Sequence, residues 1–423
     1  MTKVPFPMQH GNDDTLLEHV KSISISDYDY PLPDNRIAQQ PCAPRDAAKL
    51  LVDASPTPID SVFTQLNDYL PPKAALVVND SKVIHARLAM QRRTGGRFEL
   101  FLLNPIAPAS YEEMFASRGA VQWHCLMGRA QRWRDDIAFS LGGNPAEALY
   151  AKRIESYEGG EGFVELSWKT SETFAELLDR LGKIPIPPYL GREAVDGDNL
   201  WYQTVYARHE GSVAAPTAGL HLTDSLLGSL QSSGHPLLRT TLHVGAGTFL
   251  PVKGDSISTH TMHSERIIIT KPLIQSLLAA NAPIVAVGTT SMRTLESLYW
   301  LGALLIANPA LSNLHLPQWT PYQSNAAPSR ADALAALLQR MDATRSDRLD
   351  ASTALIIAPG YTFRIVDALI TNFHQPRSTL LLLVAALIGE RWRTLYEHAL
   401  RNNYRFLSYG DGMILFNRNR ENL

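Results

Sequence analysis

The sequence contains little cysteine. Among its 423 residues only Cys42 and Cys125 are cysteines, and they stand far apart in the chain. Two distant thiols provide neither a disulfide framework nor the paired thiolates of a zinc site. The N-terminal residues also lack the apolar core of a secretory signal peptide. We therefore expect a protein of the reducing cytoplasm.

An excess of charge and a long apolar run are missing as well. Lys and Arg total 39 against 41 Asp and Glu, so the formal net charge is -2. A nucleic-acid partner would therefore require a local basic patch. The longest apolar run, residues 380–388, reaches about half of the roughly 20 residues that span a bilayer. We expect no membrane segment, and 45% hydrophobic residues suffice for a packed core.

The chain is long enough for more than one domain. Residues 1–22 are expected to form a flexible arm. Short strand-like runs separated by turns fill 73–168 and predict a small β domain, a barrel or a sandwich. Strands alternate with helices after that stretch, which favours a mainly parallel α/β domain. We therefore expect an α/β catalytic domain of residues 23–72 and 169–423, with 73–168 inserted and a surface insertion at 303–352.

Histidines concentrate between residues 214 and 265. This stretch holds five of the thirteen in the chain, namely His221, His235, His243, His260 and His263. Small neighbouring residues let a ligand approach the backbone, and histidine exchanges protons near neutral pH. The segment HTMHSE favours an acid/base pair of His263 with Glu265. Its spacing matches no established zinc pattern, but a metal-dependent hydrolase is kept as an alternative.

Three predicted strand ends carry glycine or polar residues, and ligands collect at such ends in α/β folds. The ends are HVGAGT, GTTSMR and the PG that follows the predicted strand ALIIA, with TNFH downstream. GTTSMR opens a predicted helix whose free N–H groups suit an anion. The candidate residues from these ends are Gly245, Thr248, Gly288, Thr289, Thr290, Arg293, Asn372 and His374.

A basic stretch without acidic residues runs from 81 to 98. Its cations are Lys82, Arg87, Arg92, Arg93 and Arg97. A basic hairpin on a small β domain is suited to contact a phosphate backbone, although a solvated charged surface explains the pattern equally well.

Long motifs of the chain resemble the S-adenosylmethionine:tRNA ribosyltransferase-isomerase family of queuosine biosynthesis. They occur in order between Asp27 and Leu415 and include YARHEGSVAAPTAGLHLT, HVGAGTFLPVKGDSISTHTMHSE, VAVGTTSMRTLES and VDALITNFHQPRSTLLLLV. The resemblance implies a barrel-like α/β domain with an inserted β-barrel, and no metal or other cofactor. It also implies transfer of the ribosyl part of S-adenosylmethionine, a co-substrate, to 7-aminomethyl-7-deazaguanine at the tRNA wobble position. The ribosyl group is isomerised to give epoxyqueuosine, and adenine and methionine are released.

The resemblance also implies roles for the candidate residues. The reaction requires a base beside the sulfonium, an acid for the departing adenine and an anion site for the methionine carboxylate. We expect His243 or His263, together with Glu265, to act as the base. The carboxylate would be held by Thr289, Thr290 and Arg293. The other pocket residues would be Arg45, Asp46, Thr217, Gly219, His221, Asn372 and His374, and the basic stretch would grip the tRNA.

Some positions depart from the family pattern. His85 stands where the family usually has proline, and MGRAQRW replaces a more lysine-rich segment. Both lie near the parts expected to contact RNA, whereas the histidine- and glycine-rich motifs are intact. A divergent member that uses S-adenosylmethionine on another acceptor is therefore an alternative, and we expect a monomer.

Overall fold

The computed structural model describes residues 13–128, 133, 138–140, 147–156, 160–245, 254–323 and 327–417. The strands are β1 (Lys49–Val52), β2 (Ile59–Val62), β3 (Ala75–Asn79), β4 (Ser81–Val83), β5 (Arg87–Arg92), β6 (Arg97–Ala107), β7 (Ala120–Met127), β8 (Ala138–Ser140), β9 (Tyr150–Ser156), β10 (Glu161–Ser167), β11 (Gly182–Lys183), β12 (His209–Ser212), β13 (Leu237–His243), β14 (Glu265–Thr270), β15 (Ile284–Val287), β16 (His315–Leu316), β17 (Arg348–Thr353), β18 (Ala368–Asn372) and β19 (Gly412–Phe416). The α-helices are α1 (Asp13–Lys21), α2 (Tyr111–Ala116), α3 (Phe174–Leu181), α4 (Asp198–Trp201), α5 (Asp224–Ser232), α6 (Lys271–Ala279), α7 (Thr289–Ala307), α8 (Arg330–Thr344), α9 (Thr379–Ile388) and α10 (Arg391–Arg401).

A ten-stranded sheet forms the framework of the α/β domain, in the order β16-β17-β14-β13-β3-β15-β18-β19-β1-β2. The four central strands β13, β3, β15 and β18 are parallel, and β3 and β15 are buried along their whole length. The pairs β13–β14, β14–β17 and β18–β19 are antiparallel. The pairs β16–β17 and β1–β19 are parallel as well, and β1–β2 is antiparallel. Parallel pairs therefore outnumber antiparallel ones by five to four, and the sheet is mainly parallel at its centre and mixed towards its edges.

Six strands close into a barrel in the order β5-β6-β7-β10-β9-β8, with β8 pairing back to β5. Every other residue of these strands points inward, and the interior is filled by side chains such as Leu88, Leu100 and Trp123. This architecture confirms the predicted class, an α/β domain with an inserted small β-barrel.

The barrel unit occupies a later part of the chain than residues 73–168. β3 is a central strand of the large sheet, and β11 pairs with β5 beyond the expected end. Helix α3 buries Phe174, Leu177 and Leu178 in the barrel core. The strand rhythm of the sequence does not reveal this boundary, because both sheets contain short strands separated by turns.

The segment 303–352 is not a surface insertion. Its first residues complete helix α7, and helix α8 buries Ala333, Leu337 and Met341 in the main core. Strand β17 pairs with β14 over six residues. The Ala-rich composition suggested exposure, but small side chains allow helices to pack closely, which is what α8 does against α7.

Part of the expected N-terminal arm belongs to the fold. Helix α1 places Leu16 and Val20 near Gly360, and Val20 is fully buried. The Ser256 hydroxyl donates to the Lys21 carbonyl at 2.6 Å. Leu16, Leu17 and Val20 follow the helical spacing that puts apolar residues on one face, so residues 13–21 pack instead of remaining loose.

The predicted strand ALIIA, residues 354–358, has no regular secondary structure, although its residues are buried.

Within the part of the chain that the structure describes, no helix combines the length and apolarity needed to cross a membrane.

The crossing of α7 and α8 depends on a glycine. A Cβ added at Gly302 would lie 2.0 Å from the Ala333 carbonyl oxygen. We predict that Gly302→Ala forces the helices apart and lowers the free energy of unfolding by about 1–3 kcal/mol, the usual effect of overpacking. Urea unfolding followed by circular dichroism measures the change.

Gly228→Ala is the matched control. Gly228 lies within helix α5, and nothing stands within 4 Å of a Cβ added there. Removal of a helical glycine should raise stability by roughly 0.5–1 kcal/mol. Wild-type stability of Gly302→Ala would contradict the close packing of the two helices.

Candidate active site

Two neighbouring clefts open at the carboxyl ends of the central strands, as expected for an α/β sheet. The large cleft, of about 820 Å³, is lined by the segments 214–218, 288–290, 371–375 and 378–380 with Tyr189, Tyr202, Val244, Leu407 and Ser408. The histidine cleft, of about 550 Å³, is lined by His260, Met262, His263, Glu265, Arg293, Leu355, Ile356, Ile357 and Leu383. Both clefts include Thr379 and Leu380, in the first turn of α9.

One wall of the large cleft is a hydrogen-bonded chain of side chains. The Thr217 hydroxyl donates to Asn372 Oδ1 at 2.8 Å, and Asn372 Nδ2 donates to His221 Nε2 at 3.2 Å. His221 stacks on Phe63 with ring centroids 4.2 Å apart. Burial lowers the pKa of His221 to about 3, so the ring is neutral and accepts the Asn372 bond. His221 thus lies behind the wall and supports Thr217 and Asn372, which line the cleft.

His374 lines the large cleft and is fixed on three sides. Its Nε2 lies 2.8 Å from the Thr371 hydroxyl, and its backbone N–H donates to the Tyr396 hydroxyl at 3.0 Å. The Tyr30 hydroxyl donates to its carbonyl. Burial lowers the pKa of His374 to about 3, which keeps the imidazole neutral near pH 7. Tyr30 and Tyr396 come from distant parts of the chain, so only the tertiary fold brings this support together.

Two helices begin at the large cleft. Gly288 has φ 90° and directs the chain from β15 into α7, whose N-cap offers no side-chain hydrogen bond to the first-turn N–H groups. The Thr290 hydroxyl is buried and has no hydrogen-bond partner among the described residues. At α9 the Ser378 hydroxyl caps the Leu381 N–H. Among the described lining residues none carries a formal charge at neutral pH, so helix N-termini supply the positive potential, which suits an anionic group.

A buried ion pair, Arg293 with Glu265, lines the histidine cleft. Arg293 pairs with Glu265 through Nη1, and its Nε donates to the Leu355 carbonyl at 3.1 Å. Glu265 also accepts the Gly245 N–H at 3.2 Å. Glu265 is therefore occupied by fixed donors, whereas His263 is exposed at the edge of the cleft.

His243 lies on the opposite side of the sheet from Glu265. In the antiparallel pairing of β13 with β14, His243 stands opposite Arg266. Directly opposed residues share a face and successive residues alternate, so Glu265 points to the other face. His243 stacks on Tyr111 at 4.5 Å and lines a third cleft with Arg208, and burial lowers its pKa to about 3. The expected pairing of His243 with Glu265 is therefore wrong.

Three other candidate residues, Arg45, Asp46 and Gly219, make contacts that support the fold and do not line either cleft. Arg45 donates to the carbonyls of Leu200 and Gln203, and Asp46 accepts from the Thr223 hydroxyl at 2.7 Å. Gly219 is buried where a Cβ would lie 1.7 Å from the Tyr206 hydroxyl. These contacts hold the segments around the cleft without lining it. Thr248 lies outside the described residues.

The basic stretch is divided between paired and exposed cations. Lys82 pairs with Glu210 at 2.8 Å and Arg87 with Glu99 at 2.9 Å. The Arg92 guanidinium lies 5.9 Å from the centroid of the Phe98 ring. The exposed members are Arg93 and Arg97, at the turn between β5 and β6.

Sequence reasoning missed several lining residues. Ser378 and Thr379 begin a helix at the cleft, and a serine directly before the apolar run TLLLLV was an available capping signal. Tyr189 Oη and Ser408 Oγ are 2.5 Å apart across the cleft wall, a contact of residues 219 positions apart that no local pattern reveals. Among the described residues, no group of three or more His, Cys, Asp or Glu is placed to hold a metal ion.

Comparisons with known proteins agree along the whole chain. A family model described as Queuosine biosynthesis protein matches residues 25–415. The S-adenosylmethionine:tRNA ribosyltransferase-isomerase of Azoarcus sp. (strain BH72) is 38% identical over 399 residues, covering 93% of this chain and 98% of the relative. That of Anaeromyxobacter sp. (strain Fw109-5) is 39% identical over 396 residues, covering 92% and 98%.

A crystal structure of the S-adenosylmethionine tRNA ribosyltransferase of Thermotoga maritima is also similar. It is 27% identical, with a TM-score of 0.44 over 92% of this chain and 99% of that one. The family model and the relatives decide the assignment: this chain belongs to the queuosine biosynthesis protein family.

Proposed function

We propose that this protein transfers the ribosyl group of S-adenosylmethionine to tRNA and isomerises it. The observation that carries the proposal is the alignment with S-adenosylmethionine:tRNA ribosyltransferase-isomerases over 98% of their length. The large cleft supports it, because the first turns of α7 and α9 and neutral polar side chains line it, which suits a substrate that carries a carboxylate.

The finer proposal concerns the acceptor. We take it to be 7-aminomethyl-7-deazaguanine at the wobble position, converted to epoxyqueuosine with release of adenine and methionine. His85, one departure from the family pattern, bonds Asp179 at 2.9 Å and Asn199 at 3.1 Å. These bonds explain His85 as a support between α3 and α4, so it gives no reason to propose another acceptor.

The methionine carboxylate is assigned to the first turn of α7. Thr289 and Thr290 line the large cleft there, beside N–H groups left free by the glycine cap. Hydrogen bonds from N–H and hydroxyl groups hold a carboxylate without a fixed cation, which would repel the sulfonium of the same substrate.

Proton transfer is assigned to two histidines with different environments. Removal of the acidic proton next to the sulfonium requires a base that can exchange its proton with water, and exposed His263 meets this need. His374 stays neutral because burial lowers its pKa, so it can orient a substrate group by hydrogen bonding. Glu265 fixes Arg293 in this scheme and is not the partner of the base.

Incubation of the protein with S-adenosylmethionine and tRNA carrying the aminomethyl base tests the function. We predict adenine in solution and epoxyqueuosine in the digested tRNA, measured by liquid chromatography and mass spectrometry. Absence of both products with folded protein would overturn the proposal.

The same assay tests His263. We expect His263→Gln to slow adenine release about 100-fold or more, the usual contribution of a general acid or base. His209→Gln is the control, since His209 is also exposed but lines the third cleft. Wild-type release by His263→Gln would remove this histidine from the mechanism without affecting the assignment of the reaction.

Thr290→Val tests the carboxylate site. The Thr290 hydroxyl is buried and no described residue bonds to it, so its replacement by a methyl group should leave protein stability unchanged or slightly raised. Loss of a hydrogen bond to a charged group should raise KM for S-adenosylmethionine roughly tenfold or more. An unchanged KM would place the carboxylate elsewhere.

Acid unfolding tests the neutral state of His374. The ring's pKa is about 3 in the folded protein and near 6.5 when unfolded, so the unfolded state binds more protons between these values. Stability is therefore lost as pH falls from 6.5 towards 3. We predict that His374→Asn reduces the slope of unfolding free energy against pH by about 1.4 kcal/mol per pH unit. Identical slopes between pH 6 and 4 would show that the ring ionises normally.

A further inference from the structure

The histidine cleft contains a donor that no described residue of the chain accepts from. Arg293 is 7% exposed, and its guanidinium is bonded through Nη1 to Glu265 and through Nε to the Leu355 carbonyl. Its third nitrogen, Nη2, is buried without a partner among the described residues. Because a buried donor without an acceptor is costly, this nitrogen is placed to receive an oxygen atom of a bound ligand.

The beginning of α9 provides further donors in the same cleft. The Ser378 hydroxyl accepts from the Leu381 N–H at 3.2 Å, whereas the N–H groups of Thr379 and Leu380 have no acceptor among the described residues. Both residues line the histidine cleft beside Arg293. The N-terminus of a ten-residue helix carries partial positive charge and attracts anions.

The charges around Arg293 Nη2 and the first turn of α9 favour the binding of an oxyanion. Glu265 is the acidic residue of the cleft, and Arg293 with the Gly245 N–H neutralises it. His260 and His263 also line the cleft. The guanidinium nitrogen and two backbone N–H groups are the kind of donor set that binds phosphate oxygens.

We infer that Arg293 Nη2 and the first turn of α9 bind a phosphate group of the RNA acceptor, next to the nucleotide that is modified. This inference rests on the proposed function. S-adenosylmethionine has one carboxylate, which the first turn of α7 holds in the large cleft, whereas RNA has a phosphate beside every nucleotide. The exposed edge at His263 leaves the histidine cleft open to a macromolecule. Because the two clefts share Thr379 and Leu380, this phosphate would lie next to the ribosyl donor.

Thr379→Pro removes one N–H donor with little change in the fold. Proline is favoured at the first position of a helix, and Ser378 already has the extended conformation, φ -113° and ψ 152°, that proline requires before it. We expect KM for tRNA to rise roughly tenfold, the effect of one hydrogen bond to a charged group, while KM for S-adenosylmethionine stays within about twofold. Thr379→Ala, which keeps the N–H, separates the loss of the side chain from the loss of the donor.

Asp224→Pro is the control for proline at the start of a helix. Asp224 is the first residue of α5, and Thr223 before it is extended, with φ -80° and ψ 163°. Asp224 lines neither cleft, so its variant should retain the wild-type KM for both substrates. A rise in KM for S-adenosylmethionine alone in Thr379→Pro would overturn the inference by assigning the site to the carboxylate. Unchanged KM for both substrates would overturn it as well.

Binding of inorganic sulfate tests the site independently of catalysis. Sulfate should raise the unfolding temperature of the wild type and of Asp224→Pro above that seen with chloride at equal ionic strength. This specific increase should be lost in Thr379→Pro and in Arg293→Lys. Arg293→Lys keeps the positive charge that faces Glu265 but removes Nη2. An equal increase in all four proteins would overturn the site. If the wild type releases no adenine but the sulfate pattern is found, the proposed reaction fails and the anion site stands.

Discussion

Helix α7 is almost completely buried, and this constraint organises the domain and the candidate site. Sixteen of its nineteen residues are buried, including polar ones that must find partners inside the protein. Glu296 accepts from three consecutive backbone N–H groups of residues 364–366 and from the Tyr361 hydroxyl. Arg293 pairs with Glu265 at the start of β14. These bonds attach α7 to residues 364–366 before β18 and to Glu265 at the start of β14. They hold the first turn of α7 at the large cleft.

The electrostatics of the site follow from that arrangement. The large cleft is lined by neutral groups and by the beginnings of α7 and α9, while the cation Arg293 lies in the neighbouring cleft against Glu265. Under the proposed function, the donor substrate carries a sulfonium and a carboxylate together. Backbone N–H groups attract the carboxylate at short range. Their partial charges repel the sulfonium less strongly than a full positive charge would. Under the proposed function, the large cleft thus binds S-adenosylmethionine and the histidine cleft binds a phosphate of the RNA. The two clefts share the first turn of α9.

The fold class and two of the three strand ends could be predicted from sequence. Glycine and threonine after an apolar strand specify a turn into a helix, and Gly288 indeed has the positive φ that favours glycine. Asn372 is the last residue of the buried strand β18, and His374 lies two residues beyond it. Residues 303–352 and helix α1 could not be placed, because their apolar residues become a core face only against partners that are distant in the chain. His243 was assigned to the wrong side because the pairing of β13 with β14 decides which face a residue takes.

The sequence by itself determined where the glycine- and histidine-rich turns follow the central strands β13 and β15, since short-range physics fixes turns and strand ends. It also carried the family motifs, from which the activity was expected. Only the tertiary structure decided which of those segments meet. It placed Thr290 and His374 in one cleft, His263 and Arg293 in the next, and His243 in a third. The physical reason is that strand order, register and the burial of α7 are set by contacts between residues far apart in the chain, which no local pattern encodes.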